Sequence, residues 1–237
     1  TMEKYKVIAN AVRKKIIEGE YLPDQKLPSE KEMGETFQAS KLTIKKAIDI
    51  LVSEGLIVKR RGSGTFVKSL SVEEMERLIV DNQMRGTSAF HPDKEVASKI
   101  LQYEIVPATE KVASKLNIPM DTQVYEIYRV RLVNKQPTVI EKTFMPVSII
   151  PGLRKTDLEG SIYTYIEDKL GLYIESGHRT ISVRKANDIE VEELQLETGD
   201  PVGVAEQIGF LSNGAPFEYS ISVHRYDQFS VEMMVKH

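Results

Sequence analysis

The chain has 237 residues, 41% of them hydrophobic, which is enough for one large core or two modest ones. It has no cysteine, which excludes disulfides, thiolate metal sites and thiol catalysis. With no run near eighteen apolar residues and no apolar leader, the sequence predicts a soluble, cytoplasmic protein with no membrane partner.

The net charge of −3 conceals an asymmetry. Residues 1–69 hold 14 Lys and Arg against 9 Asp and Glu, a net +5, whereas the remainder holds 18 against 26, a net −8. A basic head on an acidic body predicts that the head meets a polyanion.

In chain order, residues 4–18 form the first predicted helix, with Tyr5, Ile8, Ala9, Val12 and Ile16 along one side, before EGEYLPDQK breaks it. Ser29 opens a short second helix ending near Phe37, with Glu32 at the spacing of a capping box. Ser40 caps a third helix, SKLTIKKAIDIL onward, which runs to about Glu54 and is stopped by Gly55. Its apolar stripe is Ile44, Ala47, Ile48 and Leu51. Lys41, Lys45 and Lys46 lie off that stripe, near the end of the helix where the dipole offers cations nothing. Leu42 also faces away from it. Two short β-like runs, LIVKR and TFV, follow, joined by RGSG. Three helices and a hairpin in this order predict a winged helix-turn-helix whose third helix enters the major groove of double-stranded DNA. The serine and free N–H groups at its start suit a phosphate.

Residues 69–80 read as a connector with some helix, and after about residue 98 strands and helices alternate. A weak internal repeat runs through this body. EKVASKLNIPMDTQVYEIYRVRLVNKQPTVIE, residues 110–141, and IEVEELQLETGDPVGVAEQIGFLSNGAPFEYS, residues 189–220, share an order of helix, turn, strand, tight turn and returning strand. Leu116 matches Leu194, Val124 matches Val202, and NKQP matches NGAP, whose Asn-Gly is a hairpin signal. Two such units predict an antiparallel sheet with helices on one face, an α+β domain. Arg129 and Arg131 share a strand face in the first copy, where the second has Gln207 and Gly209. Paired guanidiniums in one copy only predict an anion site there. Ser161 begins a predicted amphipathic helix through Ile162, Ile166 and Leu170 to Gly171, a second seat for a phosphate.

The segment LPSEKEMGETFQASKLTIKKAIDILVSEGLIVKRRGSGTFV resembles the DNA-binding domain of GntR-family bacterial repressors. The resemblance rests on the LPSE helix start, the S-x-x-T start of the third helix, L-x-x-EGLI and the wing GSGTFV. It implies a DNA-facing set of Ser29, Lys31, Ser40, Lys41, Thr43, Lys45, Arg61 and Gly62. In that set Lys31 and Lys41 reach bases, Lys45 a backbone phosphate, and Gly62 the minor groove from the wing tip. Lysine stands where the family commonly has arginine, and its point charge does not make arginine's bidentate fork to guanine.

The body is similar to the UTRA effector domain that follows the winged helix in the HutC-type branch of that family. YRVR, PTVIEKTFMP, GSIYTYIE and APFEYSISVHRYDQF carry the likeness. It implies that Arg129, Arg131, Ser161 and Tyr163 hold the phosphate of a small sugar phosphate. Glu141 and Glu218 would take sugar hydroxyls, Ser88 and Phe90 the rim, and His224 would stand where some phosphoamino-sugar sensors have tyrosine. A phosphorylated glucoside or disaccharide is the effector it implies.

The expected organisation is therefore a winged helix-turn-helix over residues 2–69, a linker over 70–84 and an effector domain over 85–237. A homodimer on a two-fold operator is the expected assembly. His91, His178, His224 and His237 show no ligand spacing, so neither a metal nor another cofactor is expected. The competing expectation is an enzyme, since the sensor fold resembles chorismate lyase and Arg129, Arg131 and Glu141 suit a small anionic substrate.

Overall fold

The structure, a computed structural model, describes residues 3–71, 74, 75 and 95–231. Its contacts divide the chain into two compact units, residues up to 83 with 231–237, and residues 84–230.

The first unit packs α1 (Lys4–Ile17), α2 (Glu30–Phe37) and α3 (Lys41–Ser53) with a hairpin of β1 (Ile57–Arg60) and β2 (Gly64–Val67). Ser29 and Glu32 close a capping box on α2, Ser29 N donating to Glu32 Oε2 at 2.7 Å and Glu32 N to Ser29 Oγ at 3.3 Å. Ile8, Val12 and Ile16 of α1 pack with the α3 stripe Ile44, Ala47, Ile48 and Leu51 into one buried core. Across it Arg13 forks onto Glu54, Nε to Oε2 at 2.9 Å and Nη2 to Oε1 at 2.6 Å. Both residues are buried, at 7% and 6% exposure, so this ion pair bolts α1 to the C-cap of α3.

The second unit is one six-stranded antiparallel sheet in the order β3-β4-β5-β8-β7-β6. Its elements are β3 (Val96–Pro107), α4 (Glu110–Leu116), β4 (Gln123–Val133), β5 (Gln136–Pro146), a turn of helix α5 (Ile162–Thr164), β6 (Ile174–Lys185), α6 (Asp188–Leu194), β7 (Pro201–Leu211) and β8 (Pro216–Arg225). The repeat is real in space and one strand longer than it reads in sequence: β3-α4-β4-β5 and β6-α6-β7-β8 are two copies that meet along β5 and β8. Both helices are capped by a short polar side chain, Thr109 and Asn187, and both end on a left-handed residue, Asn117 and Gln195. Leu116 and Leu194 are each fully buried, as are Val124 and Val202. Each β-hairpin also carries a bulge at the same rung, after Arg131 in one and after Gly209 in the other.

The helices lie on one face. Val112, Ala113 and Leu116 of α4 pack on Val124 and Tyr219, and Leu194 of α6 packs on Val130, Ile140, Val202 and Val223. The opposite face holds an apolar cluster built by Tyr125, Ile127, Met145 and Phe217 with the segment from Ile150 to Ile166. That segment corrects the expected amphipathic helix. Only Ile162–Thr164 is α-helical, and Tyr165–Lys169 widens to a π turn. The wider turn lets the consecutive Tyr165 and Ile166 both go under cover, at 9% and 0% exposure. No described helix is long and apolar enough to cross a membrane.

Candidate nucleic-acid interface and anion site

The head's cations differ in what they face. Lys14, Lys15, Lys59 and Arg60 each have an acidic partner within 4 Å, Glu18, Glu20, Asp49 and Asp24 respectively. Lys46 lies over the Tyr5 ring, 5.4 Å from its centroid. Lys31, Lys41, Lys45 and Arg61 are exposed and make no ion pair with any described residue. The first turn of α3 contains no acid, whereas that of α2 contains Glu30 and Glu32. The positive end of the α3 dipole is thus left for an outside anion, and the one at α2 is answered internally. Ser40 Oγ accepts from Thr43 N at 3.2 Å and lies 2.8 Å from Thr43 Oγ1, which fixes the start of the helix. Leu42, 65% exposed, stands between the lysines. At the wing tip Gly62 has φ +75 with open space around it, so its lack of a side chain answers the backbone turn alone.

In the body, register brings the polar residues onto the sheet face opposite the helices. Arg129 pairs with Glu141 across β4 and β5, Thr143 with Ser220 across β5 and β8, and Gln207 with Ser220 across β7 and β8. Arg129 donates from Nε to Glu141 Oε2 at 2.8 Å and from Nη1 to the Leu158 carbonyl at 2.8 Å. Arg131, only 1% exposed, donates from Nη1 to Ser98 Oγ at 2.6 Å and to the Gly160 carbonyl at 3.0 Å. The loop carrying Ser161 is therefore held against both arginines by its own carbonyls. Ser161 Oγ caps the turn by accepting from Thr164 N at 3.4 Å. Burial lowers the Arg131 guanidinium to about 10, and the neighbouring charge of Arg129 adds to the shift. A second positive charge crowded into a desolvated corner favours the arrival of an anion.

Beyond this corner the second copy adds buried polar contacts of its own. Gln207, 8% exposed, accepts from Arg179 Nε at 2.8 Å and donates toward Tyr163 Oη at 3.3 Å and Glu218 Oε1 at 3.5 Å. Ser220 Oγ donates to Glu218 Oε1 at 2.6 Å. Burial pushes the Glu218 carboxyl above its ordinary range against these hydrogen bonds. Burial, with the Glu218 charge beside it, raises the Tyr163 phenol well above its ordinary value. His224 stacks on Phe229 at 4.5 Å, and burial lowers its imidazole to about 4. Gly203 opposite makes that stack feasible, because a Cβ there would run into the Phe229 ring.

Arg129, Arg131 and Glu141 thus stand on β4 and β5 with the Ser161 loop against the arginines, Glu218 and His224 stand on the neighbouring β8, and the Glu141 charge acts on Tyr163, Glu218 and His224. Ser88 and Phe90 fall outside the described residues, as does most of the expected connector. Arg179 went unnoticed in the sequence, and Gln207 was read only as the counterpart of Arg129. The available signal was the polar pair Glu206 and Gln207 in the middle of the otherwise apolar strand VGVAEQIGFL.

Residues 4–67 match the bacterial regulatory proteins of the gntR family, and residues 92–230 match the UTRA domain. The HTH-type transcriptional regulator GmuR of Bacillus subtilis is 40% identical over 230 residues, 97% of either chain. A probable fructoselysine utilization operon transcriptional repressor of Escherichia coli is 30% identical, with 91% of this chain and 88% of that protein aligned. Among solved structures, the possible transcriptional regulator YydK from Bacillus subtilis superposes with a TM-score of 0.76 at 31% identity, covering 99% of this chain and 100% of the other.

Proposed function

The chain belongs to the gntR family of bacterial regulatory proteins and carries a UTRA domain, and from that premise we propose that a phosphorylated sugar bound by the body governs how the head holds its operator. It is a DNA-binding transcriptional regulator rather than an enzyme of chorismate-lyase-like fold, as its relatives are regulators.

The observation that carries the effector reading is the corner at Arg131. Two buried guanidiniums, Arg129 and Arg131, stand there with Glu141, and the loop of Ser161 bends over them. Charge-assisted bonds from such a pair suit the oxygens of a phosphate better than neutral hydroxyls. A sugar-derived effector is supported by the relative named for fructoselysine utilization. Glu141, Glu218, Tyr163 and His224 would face its ring, with Ser88 and Phe90 at the rim.

On the head, Lys31 and Lys41 would reach base edges, with Leu42 beside them. Lys45, Arg61, Ser29, Ser40 and Thr43 would hold phosphates, and Gly62 would enter the minor groove. Residues 2–69 would hold DNA and residues 85–237 the effector, in a cytoplasmic homodimer that represses its operator until the sugar phosphate shifts it.

A thermal-shift comparison of phosphorylated sugars with their unphosphorylated parents tests this. A ligand at 100 times its dissociation constant stabilises the fold by about 2.7 kcal/mol, so the phosphorylated member of a pair should raise the melting temperature and its parent should not. Equal shifts from both would reject the phosphate reading.

A further inference from the structure

The second copy of the repeat supplies its own half of the polar face, centred on Gln207. Arg179 of β6 donates from Nε to Gln207 Oε1 at 2.8 Å, which occupies the amide oxygen and turns the NH2 group toward Glu218 and Tyr163. Those two contacts, at 3.5 Å and 3.3 Å, are long beside a well-formed N–H···O bond of about 2.9–3.0 Å. The amide hydrogens are loosely held and available to a better acceptor. Glu218 is the complementary partner: it is 4% exposed, and an ionised carboxylate is an acceptor only. Arg179 makes no ion pair with a described residue, and its one described hydrogen bond goes to the amide it orients.

A donor and an acceptor side by side recognise a hydroxyl, which gives its proton to one and accepts from the other. A neutral group fits better here than a second anion. Arg129, Arg131 and Arg179 share the face with Glu141 and Glu218, so the positive surplus is small and a phosphate alone consumes it.

We propose that Gln207 joins Glu218, already assigned to a hydroxyl, as the donor for a ring hydroxyl of the effector, and that Arg179 is the positioning residue that sets the Gln207 amide. The first copy of the repeat then reads the phosphate and the second reads which sugar carries it. This rests on the phosphate reading at Arg129 and Arg131.

Calorimetric titration of the full chain with inorganic phosphate, glucose 6-phosphate, trehalose 6-phosphate and cellobiose 6′-phosphate tests the division. The wild type should bind at least one sugar phosphate more tightly than inorganic phosphate. Gln207→Leu and Arg179→Met should weaken that sugar phosphate by about tenfold or more, and leave inorganic phosphate within about twofold. Gln207→Glu keeps the acceptor for Arg179 but has no NH2 to donate, so it should fail to restore the sugar preference; a merely structural glutamine would be rescued by it. Unchanged sugar affinity in Gln207→Leu or Arg179→Met, a wild-type Gln207→Glu, or no preference for any sugar phosphate over inorganic phosphate overturns the proposal. A wild type that binds no inorganic phosphate overturns the phosphate seat itself, and the division of labour with it.

Discussion

The two copies of the repeat have nearly one backbone and two chemistries. Each runs edge strand, capped helix and bulged hairpin, and each buries the same leucine and valine under its helix. On the other face they part. Across the same rung the first copy sets Arg129 against Glu141 and the second sets Gln207 against Ser220. One rung on, Arg131 faces Val139, and Gly209 faces Glu218. The helix face is dictated by packing, which tolerates little change, and so both copies keep it. The far face differs between the copies in charge as well as in shape.

The sharpest way to break this comparison is to remove the charge that only the first copy has. Arg131→Ala should weaken inorganic phosphate or a sugar phosphate by about 30-fold or more, since truncating one partner of a buried charged pair costs about 2–5 kcal/mol. The same titration on Gln207→Leu should leave inorganic phosphate nearly unaffected. Comparable losses in both variants would mean that the copies share the anion.

A second test imports a residue from one copy to the other. His224 occupies the rung that Met145 fills in the first copy, and its imidazole is lowered from 6.5 to about 4. A base with a depressed folded value refuses a proton that the unfolded chain accepts. Its contribution is fully present above 6.5 and is lost as pH falls from 6.5 toward 4. Over that interval the loss amounts to about 3 kcal/mol. In His224→Met the difference in stability from wild type should therefore change with pH across this window, followed by urea unfolding at several pH values. A constant difference would show that His224 titrates normally.

The smallest effect lies in the turns. The first hairpin places both Asn134 and Lys135 at positive φ, 50° and 68°, and the second puts Gly214 at 83°. A lysine in that region is strained where a glycine is not. Lys135→Gly should stabilise the body by up to about 1 kcal/mol, read from the denaturant midpoint at unchanged slope. No gain would mean that hydrogen bonding in the first turn already offsets the strain.

How much of this was legible follows the same divide. The head could be read almost residue by residue because its signals are local: Ser29 with Glu32, Ser40 with Thr43, the Ile44 stripe and Gly55. The repeat was legible through Leu116 and Leu194, where packing preserves a pattern. Its edge strands were not. β6 is exposed along nearly its whole length, with Val183 at 72%, so it has no alternation to read. Arg179 and Gln207 are 28 residues apart and meet only through strand pairing, which no local pattern encodes. The π turn at Tyr165 also escaped, because a helical stripe does not reveal a change of pitch.

The matching bulges set a geometry that the two hairpins share. An extra residue in one strand bends it and raises the local twist, and here the bend falls at the same rung of both hairpins. Because the copies meet along β5 and β8, the two bends stand on either side of one seam and curl the sheet from both halves at once. Deleting the extra residue from one hairpin would shift the facing of every side chain beyond it by one position, while the other hairpin kept its own.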